Sequence, residues 1–183
     1  MSITDLSSYK KNNLHFGSIF RRFIWYYFNI IFFKSSLFPF NIIKVYLLKI
    51  FGAKIGTGVI IKPNVNIKYP WNLIIGNHVW IGENVWIDCL DKVTIKDHSC
   101  ISQGAMLLCG NHNYSSSTFD LITQPIILEE GVWIGAKSIV SPGVKAFSHA
   151  VLSVGSVATK NLDAFSIYQG NPATKIRERV ISK

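Results

Sequence analysis

From Ile55 onward the chain carries an aliphatic residue at every sixth position. Ile55, Ile61 and Ile67 form one set, followed by Ile75, Ile81 and Ile87, then Ile95, Ile101 and Leu107. After an interruption the series resumes as Leu128, Ile134, Val140, Ala146, Leu152 and Ala158. Four positions after most anchors stands a second small or β-branched residue, such as Val59, Val65, Val79, Val85, Ser99 and Ala105. The steps from 67 to 75 and from 87 to 95 are each eight residues, which is one repeat plus a two-residue insertion. A period of six suits neither an amphipathic helix nor the strict alternation of a sandwich strand. It predicts short strands joined by turns, three per coil, with every anchor pointing into a narrow core. Fifteen anchors make about five coils. Gly56, Gly76, Gly82 and Gly135 each follow an anchor, where a tight corner is expected to use their freedom in φ.

Residues 1–50 have a different pattern. Phe23 to Phe33 is an apolar run bracketed by Arg21, Arg22 and Lys34, and its eleven residues fall short of the ~20 that span a bilayer. A second apolar stretch, Leu37–Ile50, is interrupted by Pro39 and Lys44. The pattern predicts a pair of amphipathic helices with two readings. They lie on an anionic inner leaflet, or they cover an open solenoid end or a subunit contact. At the other terminus, Pro172–Lys183 reads as a short amphipathic helix, with proline at its first position and Ile176 and Val180 on one face. Such an element would close the far end of the solenoid. The expected organisation is a basic apolar helical segment over 1–50, a β-helix over 51–165 with an excursion over 108–127, and a C-terminal tail and helix over 166–183.

Composition refines this picture in one respect. The formal net charge is +9, yet residues 1–62 hold nine of the 19 Lys/Arg and only one acid, Asp5, so the positive charge is an N-terminal property. The basic residues are interleaved with large aliphatics and no recognition motif accompanies them, which argues against nucleic acid as a partner. Cys89, Cys100 and Cys109 are odd in number and widely spaced, and the polar start MSITDLSSYKKNN has no cleavable signal pattern. Structural thiols in a reducing, cytoplasmic compartment are expected.

The break between Leu107 and Leu128 has no six-residue phase and is rich in Ser, Asn and Asp. Chemistry concentrates on such excursions from a rigid scaffold. It holds one histidine, His112, and imidazole, with an ordinary pKa near ~6.5, suits proton abstraction near neutrality. A lone loop histidine also reads as a solvated residue. His78, His98 and His149 fall at corner-type positions, and His15 lies in the polar N-terminal segment. No two histidines are close enough in sequence for a three-histidine zinc site. Cys109 and His112 form a C-x-x-H fragment without a second half, so no metal is expected.

The repeat [Ile/Leu/Val]-Gly-x-x-x-x resembles that of the left-handed parallel β-helix acyltransferases. Gly131-Val-Trp-Ile-Gly-Ala136, Val140-Ser-Pro-Gly-Val144, Val154-Gly-Ser-Val157 and Gly170-Asn-Pro-Ala173 resemble the C-terminal half of sugar and maltose acetyltransferases. Phe51–Gly56, Tyr69-Pro-Trp71, Ile101-Ser-Gln103 and Gly110–Ser116 resemble the colanic-acid biosynthesis (WcaF-like) branch, whose members modify exopolysaccharide or lipopolysaccharide sugars. The resemblance covers residues 42–181 and implies an all-β left-handed β-helix assembled as a homotrimer. It implies acetyl-CoA as co-substrate, a saccharide acceptor, lipid-linked in one reading, and His112 as general base in direct transfer without an acyl-enzyme. By the same resemblance, Trp133, Ala136, Ser138, Ser156, Ala158 and Thr159 match the acetyl-CoA wall, and Lys160 and Arg177 are placed to meet its phosphates. Asn84, Asp88 and Asn111 are candidates on the acceptor side, and Asp120 is a candidate to orient His112. N-acetylation of an amino sugar, and a catalytically inert scaffold at the membrane, remain alternative functions.

Overall fold

Inward anchors and two-residue strands build a parallel β-solenoid in the computed structural model, which describes residues 3–9 and 16–182. The first sheet stacks β1 (Lys54–Ile55), β4 (Leu73–Ile75), β7 (Val93–Ile95), β12 (Ile126–Leu128) and β15 (Lys145–Ala146). The second stacks β2 (Ile60–Ile61), β5 (Trp80–Ile81), β8 (Cys100–Ile101), β13 (Trp133–Ile134), β16 (Val151–Leu152) and β18 (Ser166–Gly170). The third stacks β3 (Asn66–Ile67), β6 (Trp86–Ile87), β9 (Met106–Leu107), β14 (Ile139–Val140) and β17 (Val157–Ala158). Anchor pairs with anchor from coil to coil, as in Ile61↔Ile81 and Ile87↔Leu107. From Ile61 to Ala158 the anchors are at most 2% exposed, and the second inward position is equally closed at Val65, Val79, Val85 and Ala105. Five complete coils result, and a bridge from Ala146 to Leu162 with β18 begins a sixth.

The corners correct one expectation. The left-handed residue lies three positions after an anchor rather than directly after it, at Gly58, Asn64, His78, Asn84, His98, Gly104, Gly131, Lys137, Gly143, His149 and Gly155. Gly82 and Gly135 answer a different constraint: a Cβ on Gly82 would lie 2.7 Å from the Gln103 nitrogen, and one on Gly135 2.7 Å from the Leu152 carbonyl. They allow successive coils to approach closely. His78, His98 and His149 are therefore turn residues. His78 stacks on His98 with ring centroids 5.3 Å apart, and His149 packs on Phe165. His15 lies outside the described residues.

A solenoid exposes a ladder of backbone groups at each end. At the start, α1 (Ile19–Phe28), a π-helical turn (Asn29–Phe33) and α2 (Asn41–Ile50) cover the first coil. Their side chains complete its hydrogen bonds. Asn41 donates from Nδ2 to the Val59 carbonyl (2.8 Å) and accepts from the Ile61 N–H (2.7 Å). Trp25 Nε1 donates to the Ile67 carbonyl (2.7 Å), and Asn29 Oδ1 accepts from the Ile67 N–H. Lys44, fully buried, donates from Nζ to the Lys62 carbonyl (3.0 Å), and burial lowers its pKa. Trp25, Phe33, Leu47 and Leu48 close the apolar core at this end. No helix among the described residues is long and apolar enough to cross a membrane.

The far end closes differently from expectation. Residues after Pro172 form a strand, β19 (Ala173–Glu178), antiparallel to β18, instead of a helix. The reason is physical. Ile176 and Val180 are 50% and 90% exposed, so no apolar stripe is buried, and an isolated helix this short is marginal in water. Pairing with the open edge of the second sheet satisfies the backbone directly. The element is a hairpin that continues the second sheet by one strand.

Candidate active site

The excursion leaves the corner between the third and first sheets, after β9, and returns at β12. It is a β-hairpin: β10 (Gly110–His112) pairs antiparallel with β11 (Leu121–Thr123), with His112 opposite Leu121. The N-terminal segment lies against it, the Asp5 N–H donating to the Ser117 carbonyl (2.8 Å) and the Tyr9 ring 6.5 Å from the His112 ring.

His112, half-buried at the hairpin's end, is held on two sides. Its ring stacks on Phe119 at 4.4 Å with 9° between planes. Its Nδ1 lies 2.8 Å from the Phe119 carbonyl oxygen. A carbonyl only accepts, so Nδ1 carries the proton and Nε2 is left with its lone pair. Phe119 can aim its carbonyl this way because it takes a left-handed backbone, φ 50°. Asp120 is not the partner of the imidazole. Its Oδ2 accepts from Thr118 Oγ1 (2.7 Å), and Thr118 Oγ1 in turn contacts Ser116. The orienting group is thus a main-chain carbonyl, which no side-chain inventory reveals.

Asp88 anchors the base of the hairpin. It follows β6 directly below the exit point and is 5% exposed. Its Oδ1 accepts from the Cys109 N–H (2.9 Å) and the Leu90 N–H (3.3 Å), and its Oδ2 from the Gly110 N–H (3.3 Å). The carboxylate therefore fixes the chain two residues before His112. Burial, with the Asp88 charge beside it, pushes the Cys109 thiol up to about 12, and burial also raises Cys89 well above the usual thiol range. Neither thiol is a nucleophile at neutral pH.

A cleft of about 290 Å³ lies beside the hairpin, lined by Asn111, Ile122, Gln124, Ser141, Pro142 and Thr159. It brings together two of the expected residues, Asn111 and Thr159, and adds Gln124, which belongs to no motif, and Ser141, which lies in the Val140–Val144 motif without having been singled out. Lys160 is exposed at the same corner. Trp133 is on the outer face of the second sheet, 47% exposed, its Nε1 donating to Ser102 Oγ (2.9 Å). Ala136 and Asn84 stand at the corner between the second and third sheets, and Arg177 is exposed on β19. Ser138, Ser156 and Ala158 point into the solenoid. The Ser138 hydroxyl donates to the Ser153 carbonyl (2.7 Å), and the Ser156 hydroxyl accepts from the Gly170 N–H (3.1 Å). These three can offer a ligand only their backbone. Within one chain Asn111, Thr159 and Lys160 stand at the corner after the third sheet, Asn84 and Ala136 at the corner before it, and Trp133 and Arg177 on the second sheet. Among the described residues, no group of three or more His, Cys, Asp or Glu could hold a metal ion.

No protein-family model matches the sequence. The chain is 41% identical over 137 residues to the colanic acid biosynthesis acetyltransferase WcaF of Escherichia coli K12, covering 75% of each chain. It is 29% identical over 135 residues to the galactoside O-acetyltransferase of the same organism, covering 72% of this chain and 66% of the relative. In structure it superposes on a galactoside acetyltransferase in complex with coenzyme A with a TM-score of 0.77 at 26% identity, over 86% of this chain and 80% of that one. A hexapeptide-repeat acetyltransferase from Vibrio cholerae, complexed with acetyl-coenzyme A, has the same fold, with a TM-score of 0.70 at 22% identity over 75% and 77% of the two chains. With its six-residue repeat and this likeness over three quarters of its length, the chain belongs to the hexapeptide-repeat acetyltransferase family, in the branch of the colanic acid biosynthesis acetyltransferases.

Proposed function

We propose that this acetyltransferase moves an acetyl group from acetyl-CoA to a hydroxyl of a saccharide precursor of exopolysaccharide or lipopolysaccharide, with His112 as general base. The observation that carries the reading is the Phe119 carbonyl on Nδ1 of His112, which leaves Nε2 as the acceptor for a hydroxyl proton. As that proton moves to Nε2, the acceptor oxygen attacks the thioester carbonyl and forms a tetrahedral intermediate. Collapse breaks the C–S bond, and the imidazolium returns the proton to the departing CoA thiolate. Transfer is direct. The buried, high-pKa thiols of Cys89 and Cys109 supply no acyl carrier, which supports a ternary complex over an acyl-enzyme.

The division of the site between two corners supports a homotrimer. In such an assembly Trp133, Ala136 and Asn84 of one copy would meet His112, Asn111 and Thr159 of the next, with acetyl-CoA lying between subunits. Lys160 and Arg177 would serve its phosphates. The basic, apolar N-terminal face supports peripheral placement at the inner face of the membrane, and with it a lipid-linked acceptor.

Mass spectrometry of products from nucleotide sugars, amino sugars and lipid-linked oligosaccharides tests the acceptor. Acetyl ester on a saccharide oxygen is expected. Acetyl amide alone would replace this reading with N-acetylation, and failure to bind coenzyme A would replace it with a scaffold.

A further inference from the structure

Between α1, the π-helical turn and the outer face of the third sheet lies a cleft of about 350 Å³, away from the His112 hairpin. Three cations line it, Arg22, Lys34 and Lys68, together with the aromatic rings of Tyr26, Tyr69 and Trp86. No carboxylate lines it, and none of the three cations joins an ion pair among the described residues. The deficit is wider than the cleft, because no Asp or Glu occurs between Asp5 and Glu83. Arg22 Nε is buried without a hydrogen-bond partner. An unpaired guanidinium N–H is costly, and an anionic oxygen in the cleft would bring a counter-charge to the Arg22 that lines it. Three converging cations with no counter-charge suit a phosphate ester better than a single carboxylate.

What borders the cleft identifies the carrier of that phosphate. On α1, Arg22 and Tyr26 form one edge of a stripe whose outer side is Ile19, Phe23 and Tyr27, exposed at 78%, 59% and 49%. Helix α2 extends the same kind of surface with Ile42, Tyr46 and Ile50, exposed at 79%, 64% and 58%. Meanwhile the inward faces of both helices are occupied by the capping contacts of Trp25, Asn29, Asn41 and Lys44. An aromatic and aliphatic face rimmed by Lys and Arg is the composition of a helix lying in the headgroup region of a bilayer. A second copy is a poor occupant, since a two-fold contact would set cation against cation. A soluble phosphate would fill the cleft and leave the apolar face in water.

We propose that the Arg22–Lys34–Lys68 cleft binds the phosphate of an anionic phospholipid and, with the exposed faces of α1 and α2, docks the protein on the bilayer surface. This rests on the peripheral placement proposed above and is independent of the chemistry at His112. On the third sheet the cleft is lined from β3 and β6, and the hairpin leaves after β9, so along the sheet the exit corner is about 10 Å from β3. Docking there would hold the His112 end close to the membrane.

Vesicle flotation of the full chain tests this, using phosphatidylcholine alone and phosphatidylcholine with phosphatidylglycerol. The wild type is expected to float with the anionic vesicles and to release as salt is raised. The triple variant Arg22→Gln/Lys34→Gln/Lys68→Gln is expected to lose on the order of a hundredfold in partition coefficient, as three cations at a charged surface would contribute. A control with the same charge change elsewhere, Lys54→Gln/Lys92→Gln/Lys137→Gln, is expected to keep most of its binding. Circular dichroism and turnover with a soluble acceptor should match wild type in both variants. Equal flotation of the two triple variants would overturn the cleft and leave peripheral placement standing. Failure of the wild type to float would overturn both. Saturable binding of inorganic pyrophosphate to a wild type that does not float would reassign the cleft to a soluble anion and overturn the lipid proposal.

Discussion

Removing the Asp88 carboxylate should loosen the His112 hairpin from its base. In Asp88→Ala the fully buried Cys109 N–H loses its 2.9 Å acceptor and cannot reach water, while the partly exposed Gly110 and Leu90 N–H groups can rehydrate. One stranded donor and the lost charge-assisted bonds together cost about 2–4 kcal/mol. For a chain of this size that is a fall in Tm of roughly 5–15 °C. Asp88→Asn keeps one oxygen and turns an amide N–H toward another donor, so about half that loss is expected. Catalysis should suffer beyond stability. A displacement of about 1 Å at the reacting group costs on the order of 10²-fold, so kcat should fall to that extent in Asp88→Ala with KM for acetyl-CoA little changed. Thermal unfolding and steady-state release of CoA measure the two effects. A third readout is independent of both. Neutralising Asp88 should bring the Cys109 thiol down from about 12, since that charge is the second cause of its elevation after burial. Thiolate absorbance titration follows it. An unchanged kcat in a variant whose Tm has fallen would refute the positioning role, and an unchanged Tm would refute the burial argument itself.

Other expectations follow from the same structure. Asn41→Ala removes the donor to Val59 and the acceptor of Ile61 at the first coil's open edge, and should destabilise by about 1–3 kcal/mol in denaturant unfolding without changing the solenoid's circular dichroism. Gly82→Ala sets a Cβ 2.7 Å from the Gln103 nitrogen and should cost about 1–3 kcal/mol by forcing two coils apart, whereas a value near zero would mean that the coils slide freely. Alkaline stability should reflect Cys109. Its folded pKa is raised from 9.0 to about 12, so the unfolded chain gives up the thiol proton first. The stabilisation is complete below pH ~9 and is lost as pH rises toward ~12, by about 1.4 kcal/mol near pH 10. Cys109→Ala should lessen that slope and leave the part due to Cys89, whose thiol is raised as well.

The solenoid was legible because a six-residue period repeats one constraint fifteen times, and each inward position reinforces the next. The corners were legible as corners, yet not their conformation. Gly82 and Gly135 look like turn glycines in sequence, but the demand on them comes from the neighbouring coil twenty or so residues away. The C-terminal segment departs from its local pattern because Pro172, Ile176 and Val180 satisfy a helical template locally, while the deciding partner, the unpaired edge of β18, exists only in the fold. At the site, His112 stood out as the one histidine in the one long break of the repeat. Its orienting group did not, because a main-chain carbonyl has no sequence signature. Asp88 could be found but not its task, since three N–H groups converge on it only once the hairpin has left the third sheet. The capping roles of Asn29, Asn41 and Lys44 were hidden for the same reason, in a segment whose apolar pattern drew attention to its outer face.

The central claim is that Nε2 of His112 takes the acceptor's proton, and turnover of acetyl-CoA by His112→Ala tests it most directly. The assay needs a saccharide acceptor, with CoA binding and native mass checked in parallel. The account predicts a fall in kcat of about 10²–10⁴-fold with CoA affinity and assembly unchanged. Wild-type turnover in that variant would contradict it.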